Sequence, residues 1–211
     1  IPGAVDTSVF TPDGPTLRAE LGISEDAPVI GIVSRIKPGR RHLDLVEAFV
    51  QVLKQLPTAR LLIVGRGEGL ADLQRRVAAL NLSGKVIFAG YRVGAELAAA
   101  YRTMNVKVLL AEGNDGTCRA LLEAMATGRP AIAYRFGAPA EAIVHDHSGL
   151  LIEPGDVSGL AASLVLLLSE PPRASQMGQA ARGRMQVFYT QAGRTRAIEQ
   201  FFMAILRLPP A

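Results

Sequence analysis

The 211-residue sequence predicts an α/β fold, a doubly wound sheet of six parallel strands, and three observations carry that expectation. Short apolar runs rich in β-branched residues alternate with longer stretches of helical periodicity. The runs are continuous, not interleaved with polar residues, as in strands covered on both faces of a parallel sheet. The alternation recurs often enough to demand βαβ units with right-handed crossovers.

Val29-Ile30-Gly31-Ile32-Val33 reads as the first strand and Leu61-Leu62-Ile63-Val64 as the second. Val86 to Ala89, Val106 to Leu110, Ala131 to Tyr134 and Leu150 to Ile152 supply the remaining four. Between them, Leu43, Val46, Phe49, Val50 and Leu53 recur at helix spacing, as do Leu70, Leu73, Val77 and Leu80. Shorter helices are expected over 97–104, 120–126 and 160–168, with one or two more from about 179 to 206. Residues 1–27 are punctuated by Pro and Gly and read as a strap leading into one domain over 28–211. The chain begins with Ile1 and not Met, so it is expected to start inside a larger gene product or after processing.

Composition removes several functions. The residues AVILMFWYC make up 49% and charged residues 20%, an ordinary globular balance. Aromatics are 5% and Trp is absent, which argues against a base-stacking surface and a nucleic-acid partner. Lys and Arg number 23 against 19 acids, a net of +4 without any basic tract, which suits a local anion site better than a polyanion groove. The single cysteine, Cys118, excludes an internal disulfide and a Cys-based zinc site, and suggests a reducing compartment. No apolar stretch reaches the roughly 18 residues of a membrane span, and no signal peptide opens the chain.

Ligands of doubly wound sheets bind beyond the carboxyl ends of the strands, so the loops leaving them hold the candidates. After strand one, Ser34-Arg35-Ile36-Lys37-Pro38-Gly39-Arg40-Arg41-His42 places five cationic or near-cationic side chains within eight positions. Guanidinium forks match phosphate oxygens, and a helix N-terminus follows. A solvated basic loop is the plain alternative, and location decides for the ligand. After strand two, Gly65-Arg66-Gly67-Glu68-Gly69 has G-x-G-x-G spacing and follows the wrong strand for a dinucleotide fingerprint, so a tight turn is the better reading.

The stretch Glu112-Gly113-Asn114-Asp115-Gly116-Thr117-Cys118-Arg119 after strand four is the most informative. It runs into a helix whose first free N–H groups, on Thr117, Cys118 and Arg119, can cradle a phosphate. Asp115 is expected just ahead of that helix and Glu123 about six residues into it, roughly 9–12 Å apart at the helical rise. That is about the span from a ribose across a diphosphate to an attached sugar, and carboxylates accept from the vicinal hydroxyls both present. Asp115 serves equally well as a helix cap, and Glu123 as a satisfied polar residue on a packed helix. Cys118 has no His nearby in sequence to activate it and ranks as lining. Glu153-Pro154-Gly155-Asp156 reads as a turn that delivers Asp156 as a helix cap.

These residues resemble a known family over essentially the whole chain: the C-terminal, nucleotide-sugar-binding half of the family 4 glycosyltransferases, retaining enzymes of GT-B architecture. Pro2-Gly3-Ala4-Val5-Asp6 through Pro12 resembles the interdomain strap N-G-V-D-x-x-x-F-x-P. Ser34-Arg35-Ile36 stands for G-R-L, Arg40 for the Lys of K-G, and Val64-Gly65-Arg66-Gly67 for V-G-x-G. Ala124-Met125-Ala126-Thr127-Gly128-Arg129-Pro130 is close to A-M-A-x-G-x-P, the most specific part, and Gly149 to Asp156 is nearly as good. The E-x7-E motif falls on Asp115 and Glu123, with Asp for the first Glu, and Cys118 replaces a usual Gly between the acids.

The resemblance implies a Rossmann-like domain in which Arg35 and Arg40 bind the donor diphosphate, with Gly116, Thr117, Cys118 and Arg119 as its cradle. It implies that Glu123 holds the ribose hydroxyls and Asp115 faces the transferred sugar. It implies retaining transfer from a nucleoside-diphosphate sugar, with no cofactor and no catalytic metal, and no carboxylate pair here is shaped for Mg²⁺. The acceptor would belong to the protein's own N-terminal domain, so the isolated chain should bind donor without turnover. The cytoplasm, or the inner face of the cell membrane reached through that other half, is the expected location. Two alternatives stand: a non-catalytic nucleotide-sugar-binding or regulatory module, and, further behind, a dinucleotide-binding oxidoreductase domain.

Overall fold

The computed structural model describes residues 3–111 and 115–206, with residues 115–117 described by backbone alone. Six strands form one parallel sheet: β1 Val29–Val33, β2 Arg60–Val64, β3 Val86–Gly90, β4 Val106–Leu109, β5 Ala131–Tyr134 and β6 Gly149–Ile152. Their order is β3-β2-β1-β4-β5-β6. The chain therefore reverses its direction of winding between β1 and β4, where a ligand crevice is expected. The ladder there contains only Ile30↔Val106 and Gly31↔Lys107, so the two strands are not paired over the carboxyl-terminal part of β1.

Both faces of the sheet are covered, which explains the unbroken apolar runs. Ile30, Ile32, Leu61, Ile63, Val106, Val108 and Ile132 point into one layer with α1 (His42–Leu53), α2 (Leu70–Ala79) and α6 (Val157–Ser169). On the opposite face, Val29, Leu62 and Val64 pack with α3 (Gly94–Thr103). Leu109, Ala131, Ala133 and Leu151 pack there with α4 (Asp115–Ala126) and α5 (Ala138–Ala142). Gly31 has no side chain because Met104 occupies its place: a Cβ there would stand 2.0 Å from the Met104 sulfur.

Several boundaries differ from the sequence reading. Helix α5 has no counterpart among the expected helices; it spans five residues with Pro139 near its start, too short for a helical period to show. The tail forms two helices, α7 (Pro171–Phe188) and α8 (Gln191–Leu206), and α7 begins about eight residues earlier than expected. Pro171 and Pro172 occupy its first two positions, where the missing N–H is no loss. Asp156 caps α6 as expected, accepting from the Gly159 N–H at 2.7 Å. Residues 3–28 contain no helix or strand, yet Val5, Leu17 and Ile23 are buried against the domain. No helix of the described residues is long and apolar enough to cross a membrane.

Candidate functional site

A cleft of about 1210 Å³ opens above the carboxyl ends of β1, β2 and β3, walled by one face of α4 and by Val9 and Phe10 of the leading segment. The loop after β1 folds into a single 3₁₀ turn over Pro38–Arg40, then passes through Arg41 in the left-handed region at φ 57° to start α1. This turn brings Arg35, Lys37 and Arg40 to the cleft wall. Arg41 is carried away from it. The G-x-G turn after β2 is also explained. A Cβ on Gly65, at φ 146°, would stand 2.0 Å from the Ser34 carbonyl oxygen, and one on Gly67 2.2 Å from that of Ile36. The two loops cross backbone to backbone, and glycine is what lets them do so.

Among the described lining residues there are six cations, Arg35, Lys37, Arg40, Arg66, Arg92 and Arg119, and one carboxylate, Glu123. Arg92 is bound by Glu20 at 2.6 Å and Glu96 at 3.3 Å. Arg66 lies over the Tyr91 ring at 4.7 Å. Arg35, Lys37, Arg40 and Arg119 form no ion pair among the described residues, so their charge is directed at the cleft. Such a concentration of unneutralised guanidinium and ammonium groups favours an anion carrying several oxygens.

Glu123 is buried to 8% exposure and reaches the cleft floor from the third turn of α4. Burial raises its pKa above the ordinary carboxylate value, while the Tyr101 hydroxyl, Arg119 and Lys107 pull it back down. Tyr101, fully buried on α3, donates to Glu123 Oε2 at 2.8 Å. Lys107 is wholly buried in β4 and donates to the Val108 carbonyl at 2.7 Å, and burial lowers its pKa to about 7. His42, at the start of α1, is held near 4 by burial and by the Lys107 and Arg40 charges.

The structure thus brings Arg35, Arg40, Arg119 and Glu123 to one cleft. Helix α4 begins at Asp115 itself, not after it, which makes Glu123 the ninth residue of the helix, eight positions beyond Asp115. The side chains of Asp115, Gly116 and Thr117 lie outside the described residues. Cys118 is corrected: its side chain does not line the cleft but packs with Val5, Leu121 and Tyr189, because it faces the core side of α4. Sequence reading missed Arg66, Tyr91 and Arg92, which sit on the loops after β2 and β3. The rule that strand ends bind ligands could have flagged them. Tyr101 and Lys107 carried no comparable sign, since their relation to Glu123 arises only where α3, α4 and β4 pack together.

Known proteins share this fold. Residues 13–184 match the family described as glycosyl transferases group 1. The chain is 32% identical over 193 residues to the N-acetyl-alpha-D-glucosaminyl L-malate synthase of Bacillus anthracis, covering 91% of this chain and 49% of that protein. It spans about half the length of the curated relatives it matches. The C-terminal domain of the group 1 glycosyl transferase LpcC of Francisella tularensis superposes with a TM-score of 0.76 at 26% identity, covering 89% of this chain and all of that one. Anabaena HepE, solved with UDP-glucose, shares the fold with a TM-score of 0.85 at 21% identity, over 95% of this chain and 56% of its own. With most of its length matched by the family model, the chain belongs to the group 1 glycosyl transferases.

Proposed function

We propose that this chain is the donor-binding half of a retaining hexosyltransferase that moves a sugar from a nucleoside diphosphate to an acceptor held by an N-terminal domain. The observation that carries this reading is the cleft itself: Arg35, Lys37 and Arg40, with no ion pair among the described residues, stand at the switch point of the sheet beside one buried carboxylate, Glu123. Arg35 and Arg40 bind the diphosphate, assisted by the Arg119 side chain and by the N–H groups of Asp115, Gly116 and Thr117. Because α4 starts at Asp115, the N–H groups of Cys118 and Arg119 already belong to the helical ladder and are not free for the cradle. Glu123 accepts from the ribose hydroxyls and Asp115 from the sugar.

In the reaction the anomeric C–O bond to the diphosphate breaks, a bond to the acceptor oxygen forms on the same face of the sugar, and the acceptor's hydroxyl proton passes to the departing diphosphate. The diphosphate gains negative charge as it leaves, and fixed cations stabilise that charge without having to reorganise. No cofactor or metal is assigned a part. The complex of HepE with UDP-glucose supports a nucleotide sugar as the ligand class. Helix α8 buries no residue and exposes Phe201, Phe202, Met203 and Leu206 around its last turns, an apolar end suited to packing against the other half of the enzyme. The cytoplasm, or the inner membrane face by way of that half, is the location we assign.

The test is a thermal-shift and calorimetric screen of this chain against UDP-, GDP- and ADP-sugars, with NAD as control. Binding of one nucleotide sugar and not of NAD supports the reading. Equal or better binding of NAD would overturn the assignment of the cleft to a nucleotide sugar. Donor binding by the chain without sugar transfer by the full-length protein would make it a regulatory module.

A further inference from the structure

We propose that Tyr101 is a positioning residue for nucleotide recognition: its hydroxyl fixes Glu123 Oε2 so that Oε1 is presented to the ligand's ribose. The proposal rests on the assignment of Glu123 to the ribose made above. Tyr101 is fully buried, and its hydroxyl reaches across from α3 to Glu123 on α4 at 2.8 Å. A carboxylate has two oxygens, and this bond occupies one of them at the inner end of the side chain. The ring is itself held in place. Phe10, which lines the same cleft, meets it edge-on with centroids 5.9 Å apart and an interplanar angle of 71°.

A long, flexible Glu side chain would otherwise lose rotamer freedom when the ribose binds; here that freedom is already lost in the fold. The hydroxyl also favours the ionised carboxylate, which accepts two ribose hydroxyls better than a neutral acid does. Lys107 from β4 and Arg119 from α4 act on the same carboxylate by charge alone. Tyr101 is the neighbour that sets its direction.

The experiment compares a ribonucleoside diphosphate, UDP or GDP, with its 2′,3′-dideoxy analogue on this chain, by calorimetry. In the parent the ribo form binds more tightly. Tyr101→Phe keeps the ring against Phe10, should leave the dideoxy affinity unchanged, and should lower the ribo preference roughly five- to tenfold, the worth of one such hydrogen bond. A carbon-13 titration of the Glu123 carboxyl should move to higher pH in Tyr101→Phe. If that variant folds poorly, 3-fluorotyrosine at 101 keeps the hydroxyl, makes it a stronger donor, and should move the titration to lower pH.

Glu123→Gln separates the two ideas. If it leaves the ribo preference intact, the ribose assignment is wrong and Tyr101 has nothing to position. If it abolishes the preference while Tyr101→Phe does not change it, the assignment stands and the role of Tyr101 is overturned. Equal weakening of both ligands by Tyr101→Phe would make Tyr101 a packing residue.

Discussion

Ser34 Oγ and His42 Nε2 lie 3.1 Å apart, so the first and last residues of the cation-rich loop clasp each other. Between them the chain carries Arg35, Lys37 and Arg40 outward to the cleft while His42 is buried at 5% exposure. The clasp fixes the base of the loop, and His42 must stay neutral to remain where it is.

A pH dependence of folding follows. Burial holds the folded His42 near 4, against 6.5 when unfolded. Between these values the unfolded chain binds a proton that the folded chain refuses. The stability due to neutral His42 is therefore present above pH 6.5 and is lost as pH falls toward 4. His42→Gln should reduce the fall in unfolding free energy between pH 7 and pH 5 by about 1–2 kcal/mol, at about 1.4 kcal/mol per pH unit. Urea melts of both proteins measure it, and identical acid dependence would refute the burial argument.

The cations make a separable prediction. Arg35→Ala and Arg40→Ala should each weaken nucleoside-diphosphate binding by about 1.5–3 kcal/mol, the range for charge-assisted bonds. Binding of a nucleoside without phosphates should barely change. Calorimetry that found both ligands weakened alike would make the loop structural.

The two acids should divide the donor. Glu123→Gln is expected to weaken the bare diphosphate and the nucleotide sugar by a similar factor. Asp115→Ala should spare the diphosphate and remove the extra affinity of the sugar, roughly 1.5–5 kcal/mol before ordering costs. A titration of each variant against both ligands decides it. If Asp115→Ala weakens the bare diphosphate equally, Asp115 is a helix cap.

Lys107 predicts a gain from a loss. Its ammonium is fully buried and its pKa is lowered to about 7 from 10.5, so the fold holds a cation it disfavours. Lys107→Met should raise stability at pH 7 by about 1–4 kcal/mol, as when buried charges give way to apolar side chains. From about pH 7 to 10.5 the unfolded parent binds the extra proton, so parent stability rises with pH and the advantage of the variant should shrink toward pH 9.5. Chemical denaturation at the two pH values tests both parts. A variant less stable than the parent would show that the ammonium is a required support for the sheet.

What the sequence determined by itself was local. Strands covered on both faces wrote themselves as unbroken apolar runs such as Leu61 to Val64, and their spacing from helices imposed the parallel sheet. Because ligand sites in such sheets follow strand ends, Arg35, Arg40, Arg119 and Glu123 were legible as candidates before any coordinates. Elements with too few residues for a period, such as Ala138–Ala142, were not, and prolines at Pro171 and Pro172 hid the start of α7. Tertiary structure alone decided which side of α4 each residue occupies, turning Cys118 into the core and Glu123 into the cleft. It alone placed Tyr101 against Glu123 and buried Lys107 beneath them, 22 positions separating the bonded pair in sequence. The reason is physical: a hydrogen bond or a desolvated charge depends on distances that packing sets, and the pattern along the chain does not encode them.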